Sequence, residues 1–338
     1  MRSARIVEEG AAYYHIVSRV VDRQMVFDDS EKERFRKLMR SVAEFSGIKV
    51  MTFVVMTNHW HILAYVPERE EVSDSEVGRR LAYLYDGKKV DSIAGKLAVL
   101  RKAGNHEAAD RCKADYTYRM YDLGEFMKTL KQRVSMSYNK RHHRKGTLWE
   151  ERFKSVLVEG KPGSLIKVAS YIDLNPVRAG MVTDPKDFRF SGYGEAMGGS
   201  KEARAGLMGL MRDGIDQENW RAASARYRQL LYVRGEAQGV RENGQRVKQG
   251  FGEATVAAVV EVKGTLPLNE LLRSRIRYFT DGAILGSRIF MEDAFGRHRM
   301  HFSEKREEGA RPMKGAKWGD LFTARQLRVE IFGTPAPL

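Results

Sequence analysis

The sequence predicts an α+β fold: an antiparallel sheet with helices packed on it, extended by a mainly α-helical C-terminal part. Three observations carry this expectation. Short apolar runs rich in β-branched and aromatic residues alternate with helical segments that repeat their apolar positions every three or four residues. The opening order is strand, helix, strand, strand, which starts an antiparallel α+β sandwich. At "GGSKEARAG" (198–206) the small and polar residues mark a boundary, so residues 1–198 and 199–338 read as two domains. No internal repeat is present.

"AYYHIVSRV" (12–20) is the first strand. "DDSEKERFRKLMRSVAEFSG" follows as a helix, with acidic residues near its start, Phe35, Leu38, Met39 and Val42 at helical spacing, and Gly47 as its stop. "IKVMTFVVM" (48–56) is a buried strand, and "HILAYVP" (61–67) resumes as another after the turn signal of Asn58. Residues 68–118 interrupt with a charge-rich stretch holding helical patches such as "SIAGKLAVLRKAG", taken as an insertion over the site. "YDLGEFMKTLKQRVSMSYNKRHHRKG" (121–146) is an amphipathic helix running into a basic loop, and "TLWEERFKSVLVE" a short strand region. "SLIKVASYIDLNP" (164–176) is a helix opened by Ser164 and closed near Pro176. In the tail, "LNELLRSRIRYF", "TDG" and "AILGSRIFMEDAF" read as helix, turn, helix, a candidate duplex-binding unit with Ser287 and Arg288 in its second helix. "KREEGARPMKGAKWGD" (305–320) reads as a flexible charged loop.

Composition narrows the partners. The net charge is +15 with pI near 9.7, and both parts are basic: 35 Lys/Arg against 27 Asp/Glu in residues 1–200, and 24 against 17 beyond. That balance favours a polyanionic partner. The single cysteine, Cys112, excludes an intrachain disulfide framework and a multi-cysteine metal cluster. No apolar run reaches the roughly 20 residues of a membrane span, and the N-terminus lacks the apolar core of a secretory signal. A cytoplasmic, nucleoid-associated protein without a membrane partner is expected.

"MTNHWHILAYVP" (56–67) holds the most informative chemistry. In a strand, His59 and His61 point to one face and Trp60 to the other. Two adjacent imidazoles can serve a metal ion, an acid–base pair, or only local hydrogen bonds. On the 164–176 helix, Tyr171 and Asn175 lie one turn apart on one face. If that face meets the strand, two neutral imidazoles and an amide oxygen make a mixed ligand set suited to Mg²⁺ or Mn²⁺ bound with a phosphate. The ion would polarise a phosphodiester, and Tyr171 would attack phosphorus. A zinc hydrolase is the rival metal reading, but no third His or Cys stands at convincing spacing.

"YHIVSRVVDRQMVF", "VMTNHWHILAYVPE", "KRHHRKGTLWEERFKS" and "ASYIDLNPVRAGMVTDPKDFRFSGYGE" occur in order over about residues 10–195. Together they resemble the single-tyrosine HUH transposases, above all the REP-associated tyrosine transposases, relatives of the IS200-type enzymes. The resemblance implies a ferredoxin-like core over 1–198 and a His-hydrophobe-His metal motif at His59, Trp60 and His61. It also implies a nucleophile and ligand pair at Tyr171 and Asn175. Such enzymes nick single-stranded DNA at palindromic hairpins, become joined to a 5′ phosphate and leave a 3′-OH that can rejoin. Thr57 departs from the family, where proline often precedes the asparagine, and the 68–118 insertion is longer than expected.

Simpler readings stand beside these. Trp60 reads as core packing rather than a base-stacking platform. Tyr138 and Tyr193 are weaker nucleophile candidates than Tyr171. His15, His106, His298, His301 and Cys112 read as structural or incidental. Between Phe126 and Trp149 lie seven basic residues and no acidic one: Lys128, Lys131, Arg133, Lys140, Arg141, Arg144 and Lys145. With Arg152, Lys154 and Arg178 they make a candidate phosphate track, against the alternative of a solvated helix face. The expected function is a metal-dependent tyrosine transposase or endonuclease acting on single-stranded and hairpin DNA as a monomer or homodimer. The alternative is a domesticated, non-catalytic hairpin-DNA-binding protein or repressor.

Overall fold

A computed structural model describes residues 2–3, 5–211, 219–231, 276–314, 318–325, 327 and 329–330. After a two-residue strand, β1 (Arg2–Ser3), the alternating run becomes β2 (Ala12–Arg19). α1 (Asp29–Ser46) begins where the Glu31 N–H donates to the Asp28 carboxylate, and it ends at Gly47, whose φ of 73° is the left-handed stop that glycine supplies. β3 (Lys49–Val55) and β4 (His59–Val66) form the next hairpin. α2 (Asp74–Leu81), α3 (Gly87–Lys102) and α4 (His106–Thr117) precede the long α5 (Leu123–Arg141). β5 (Lys154–Val158), α6 (Pro162–Asp173), α7 (Asn175–Arg178), α8 (Gly192–Met197), α9 (Lys201–Gly209) and α10 (Trp220–Leu231) follow. The last described part holds α11 (Arg277–Asp281), β6 (Gly282–Gly286), α12 (Arg288–Arg297), β7 (Arg311–Pro312), β8 (Phe322–Arg325) and β9 (Val329–Glu330).

β1 pairs with β9, and the other strands form one sheet in the order β3-β4-β2-β5-β6-β8-β7. Its first four strands, with α1 and α5 as crossovers, have the ferredoxin-like arrangement. Side-chain alternation in β4 divides the layers. Trp60 is fully buried against Phe35 of α1, with ring centroids 5.2 Å apart, as its core-packing reading requires. His61 faces the opposite layer, toward Tyr171 of α6. α1 and α5 pack together on the first face. α2 joins them there, with Arg80 of α2 donating to the Tyr121 hydroxyl at 2.7 Å and Arg133 of α5 donating to the Leu84 carbonyl at 2.7 Å.

Three sequence readings are corrected by this arrangement. The 68–118 insertion does not lie over the histidines; its buried Val77, Leu81, Ile93 and Leu97 draw it to the α1 and α5 side. The helix-turn-helix reading also fails within the described residues, and residues 268–275 of its first helix lie outside them. Gly282–Gly286, read as turn and helix start, is strand β6, and a helix begins only after Ser287. The short apolar run Ala283–Leu285 fits either state by pattern. The open edge of β5 decides it: β6 pairs there in parallel, and the Glu159 N–H donates to the Leu285 carbonyl at 2.8 Å. The charged loop at 305–320 likewise contains β7, which pairs with β8, while Trp318 is buried; residues 315–317 lie outside the described set.

α9 returns to the sheet edge. A Cβ on Gly206 would come within 2.5 Å of the Met51 carbonyl oxygen, so only glycine permits this approach of α9 to β3. α10 is tied to α6 through Asp173, which is fully buried. Its carboxyl accepts from the Tyr227 hydroxyl at 2.6 Å, the Thr52 hydroxyl at 3.0 Å and the Tyr193 N–H at 3.2 Å.

Two expectations follow from these contacts. Gly206→Ala forces the helix off a main-chain oxygen and should lower stability by about 1–3 kcal/mol in urea unfolding. Burial raises the Asp173 carboxyl from 3.8 to about 7, against the smaller opposing effect of its hydrogen bonds. The folded chain therefore holds this proton more tightly than the unfolded one. The stability it confers is complete below pH 3.8 and lost as pH rises to about 7. Asp173→Asn should remove that decline, seen as the difference between the unfolding profiles of the two proteins from pH 4 to 7.

Candidate active site

The register of β2 against β4 sets the histidines. Val17 stands opposite His61 and Arg19 opposite His59, so His15, Val17, Arg19, His59 and His61 share one face of the sheet. The His59 and His61 ring centroids are 5.4 Å apart. The Asn58 side chain is anchored by donating to the Arg23 carbonyl at 3.0 Å, and its Oδ1 lies 2.8 Å from His59 Nδ1. His61 Nδ1 lies 2.9 Å from Nε2 of His15, whose Nδ1 is 2.8 Å from the Phe279 carbonyl of α11. Burial is the main cause that holds His15 down at about 4 and His61 well below its ordinary value. Both rings are thus neutral at pH 7.

α6 brings Tyr171 to the same place. Its ring centroid is 6.1 Å from those of both His15 and His61, and 5.0 Å from that of Phe279. The helix yields to the short α7 at Leu174, because Pro176 has no N–H to continue the ladder. Asn175 compensates: its Nδ2 donates to the Ile172 carbonyl at 3.2 Å, the acceptor that Pro176 leaves unserved. That bond fixes the amide, with Oδ1 as its remaining acceptor. Arg178 donates to the Tyr171 carbonyl at 2.7 Å, and its guanidinium carbon lies 4.1 Å from the Tyr171 ring centroid. Burial lowers the Arg178 guanidinium to about 10, which leaves it cationic at neutral pH.

His59, His61, Tyr171, Asn175 and Arg178 line one cleft of about 370 Å³, together with Arg19, Arg152, Lys154, Glu150, Glu151 and Asp281. Among the described residues, no three His, Cys, Asp or Glu side chains converge into a metal cage.

The basic residues divide. Arg152, Lys154 and Arg178 line the cleft. Lys128 and Lys131 line a neighbouring depression that shares Arg152. Arg133 is engaged with the Leu84 carbonyl, and Arg141 is paired with the Glu31 carboxylate. Lys140 and Lys145 are exposed and Arg144 is half-buried, and none of the three lines the cleft. Sequence reasoning missed His15, Arg19 and Phe279. The period-2 alternation of β2 held a signal for the first two, since His15, Val17 and Arg19 share a face. Nothing local pointed to Phe279, which comes 264 residues after His15.

Among the described residues, no helix is long and apolar enough to cross a membrane. No curated protein matches the chain significantly. One solved structure similar to it is a REP-associated tyrosine transposase bound to a REP hairpin. The TM-score is 0.37 at 14% identity, over 60% of this chain and 89% of that one. The family model described as "Transposase IS200 like" matches residues 10–76, which hold β2, α1, β3 and the whole His59-Trp60-His61 ribbon. Over residues 10–76, this chain is therefore similar to the IS200-like transposases.

Proposed function

We propose that the cleft is the active site of a tyrosine transposase or endonuclease that nicks, and can rejoin, single-stranded DNA at palindromic hairpins. The observation that carries this reading is the meeting of Tyr171 with His59, His61 and Asn175 in one cleft of a single chain. The IS200-like match over residues 10–76 and the four ordered motifs support it.

The donor set fits a hard divalent ion. Two imidazole nitrogens and one amide oxygen leave coordination positions open for phosphate oxygens, and no thiolate favours a softer metal. His59, His61 and Asn175 would hold Mg²⁺ or Mn²⁺, which when bound supplies Lewis-acid polarisation of the phosphodiester. The rest falls to the chain. Arg19, Arg152 and Lys154 line the approach and neutralise backbone phosphates. The Arg178 guanidinium lies against the Tyr171 ring and holds it in place in the cleft. The Tyr171 oxygen attacks phosphorus as the P–O3′ bond breaks. The phenol gives up its proton, the departing 3′ oxygen takes one up, and the 5′ phosphate stays on the tyrosine. The reverse attack by a 3′-OH rejoins the strand and restores the phenol.

Tyr171→Phe should abolish denaturation-resistant protein–DNA adducts on labelled palindromic hairpins with Mn²⁺, while hairpin binding persists in a gel-shift assay. Adducts that survive the substitution would reject the nucleophile, and their absence from the unmodified protein would favour a non-catalytic hairpin binder. Chelation with EDTA should stop cleavage and added Mn²⁺ restore it; cleavage undiminished in chelator would remove the metal's role.

A further inference from the structure

Hydrogen-bond direction at the two histidines is forced by main-chain carbonyls, which can only accept. His15 Nδ1 faces the Phe279 carbonyl at 2.8 Å, so it carries the proton. In a neutral imidazole the other nitrogen is then an acceptor, so His15 Nε2 accepts at 2.9 Å from a proton on His61 Nδ1. His61 is left with a lone pair at Nε2. The His59 side repeats this logic. Asn58 Nδ2 donates to the Arg23 carbonyl at 3.0 Å, which turns Oδ1 toward His59 Nδ1 at 2.8 Å. That oxygen can only accept, so the neutral His59 ring also carries its proton on Nδ1 and a lone pair at Nε2.

We propose that His15 and Asn58 are positioning residues that lock His61 and His59 into the Nδ1–H tautomer, with α11 forming part of the lock through the Phe279 carbonyl. His15 suits the role because it is fully buried, stacks on His61 with ring centroids 5.1 Å apart, and has no carboxylate among its hydrogen-bond partners. A main-chain carbonyl cannot turn away without moving its helix. Each imidazole is therefore aimed by a chain that ends in backbone, one at the start of the fold and one in the C-terminal part. Partners of this kind set the tautomer and ring direction of metal-ligating histidines. The inference rests on the proposed metal role only for its consequence; the tautomers themselves belong to the metal-free protein.

The test uses the full chain labelled with ¹⁵N-histidine and free of metal, with ring nitrogen shifts read at neutral pH by long-range ¹H–¹⁵N correlation. His15, His59 and His61 should each show a protonated Nδ1 and an unprotonated Nε2. Finding His61 as the Nε2–H tautomer would overturn the proposal without any substitution. In His15→Phe, His61 should shift toward the Nε2–H form that imidazole prefers in water, and Mn²⁺ affinity should fall about 10–100-fold. His15→Gln restores a donor for Phe279 and an acceptor for His61, so it should recover both signals. Unchanged His61 shifts in His15→Phe would overturn the relay. If Mn²⁺ fails to bind the unmodified protein, the metal reading falls, and the relay is still judged by the shifts alone.

Discussion

The antiparallel register of β2 against β4 is the constraint on which the site depends. With Val17 opposite His61, one sheet face carries His15, Arg19, His59 and His61, while Trp60 enters the other face. A slip of one residue would turn both imidazoles into the α1 layer and the indole into the cleft. Burial of Trp60 against Phe35 and Trp149 opposes that slip, because each ring finds its complement only in this register. A packing interaction on one side of the sheet therefore fixes where the histidines stand on the other.

The C-terminal part is built into that same sheet. β6 occupies the edge of β5, and the Glu159 carboxylate accepts from the Ser287 N–H and hydroxyl, both at 2.7 Å, at the start of α12. Burial opposes the charge of Glu159, yet these bonds and Lys161 hold it below the ordinary carboxylate range. The fastening has a consequence at the cleft, since α11 lies immediately before β6 and delivers Phe279. Its ring backs Tyr171 and its carbonyl meets His15. An extension that looks peripheral in sequence supplies a wall of the site.

Charge is partitioned in the same way. The basic excess suggests a cationic track, but Arg133 and Arg141 bind the protein's own carbonyl and carboxylate groups. The cations that line the cleft come instead from β2, from the segment leading into β5, from β5 itself and from α7, with Glu150, Glu151 and Asp281 among them.

The sequence by itself determined the opening strand-helix-strand-strand succession, the opposed faces of Trp60 and the two histidines, and the one-turn spacing of Tyr171 and Asn175. Each follows from a local period of two or of about 3.6 residues, which a single segment carries whole. Tertiary structure decided what no segment carries. Ala283–Leu285 is apolar enough for helix or strand, and the vacant hydrogen bonds of β5 made it a strand. The insertion covers the α1 layer because its apolar side chains find their partners there. His15 was legible as a buried strand residue, but its tie to His61 depends on pairing across β2 and β4 and on a carbonyl 264 residues away. Hydrogen-bond direction is a property of assembled neighbours, and only the folded chain supplies them.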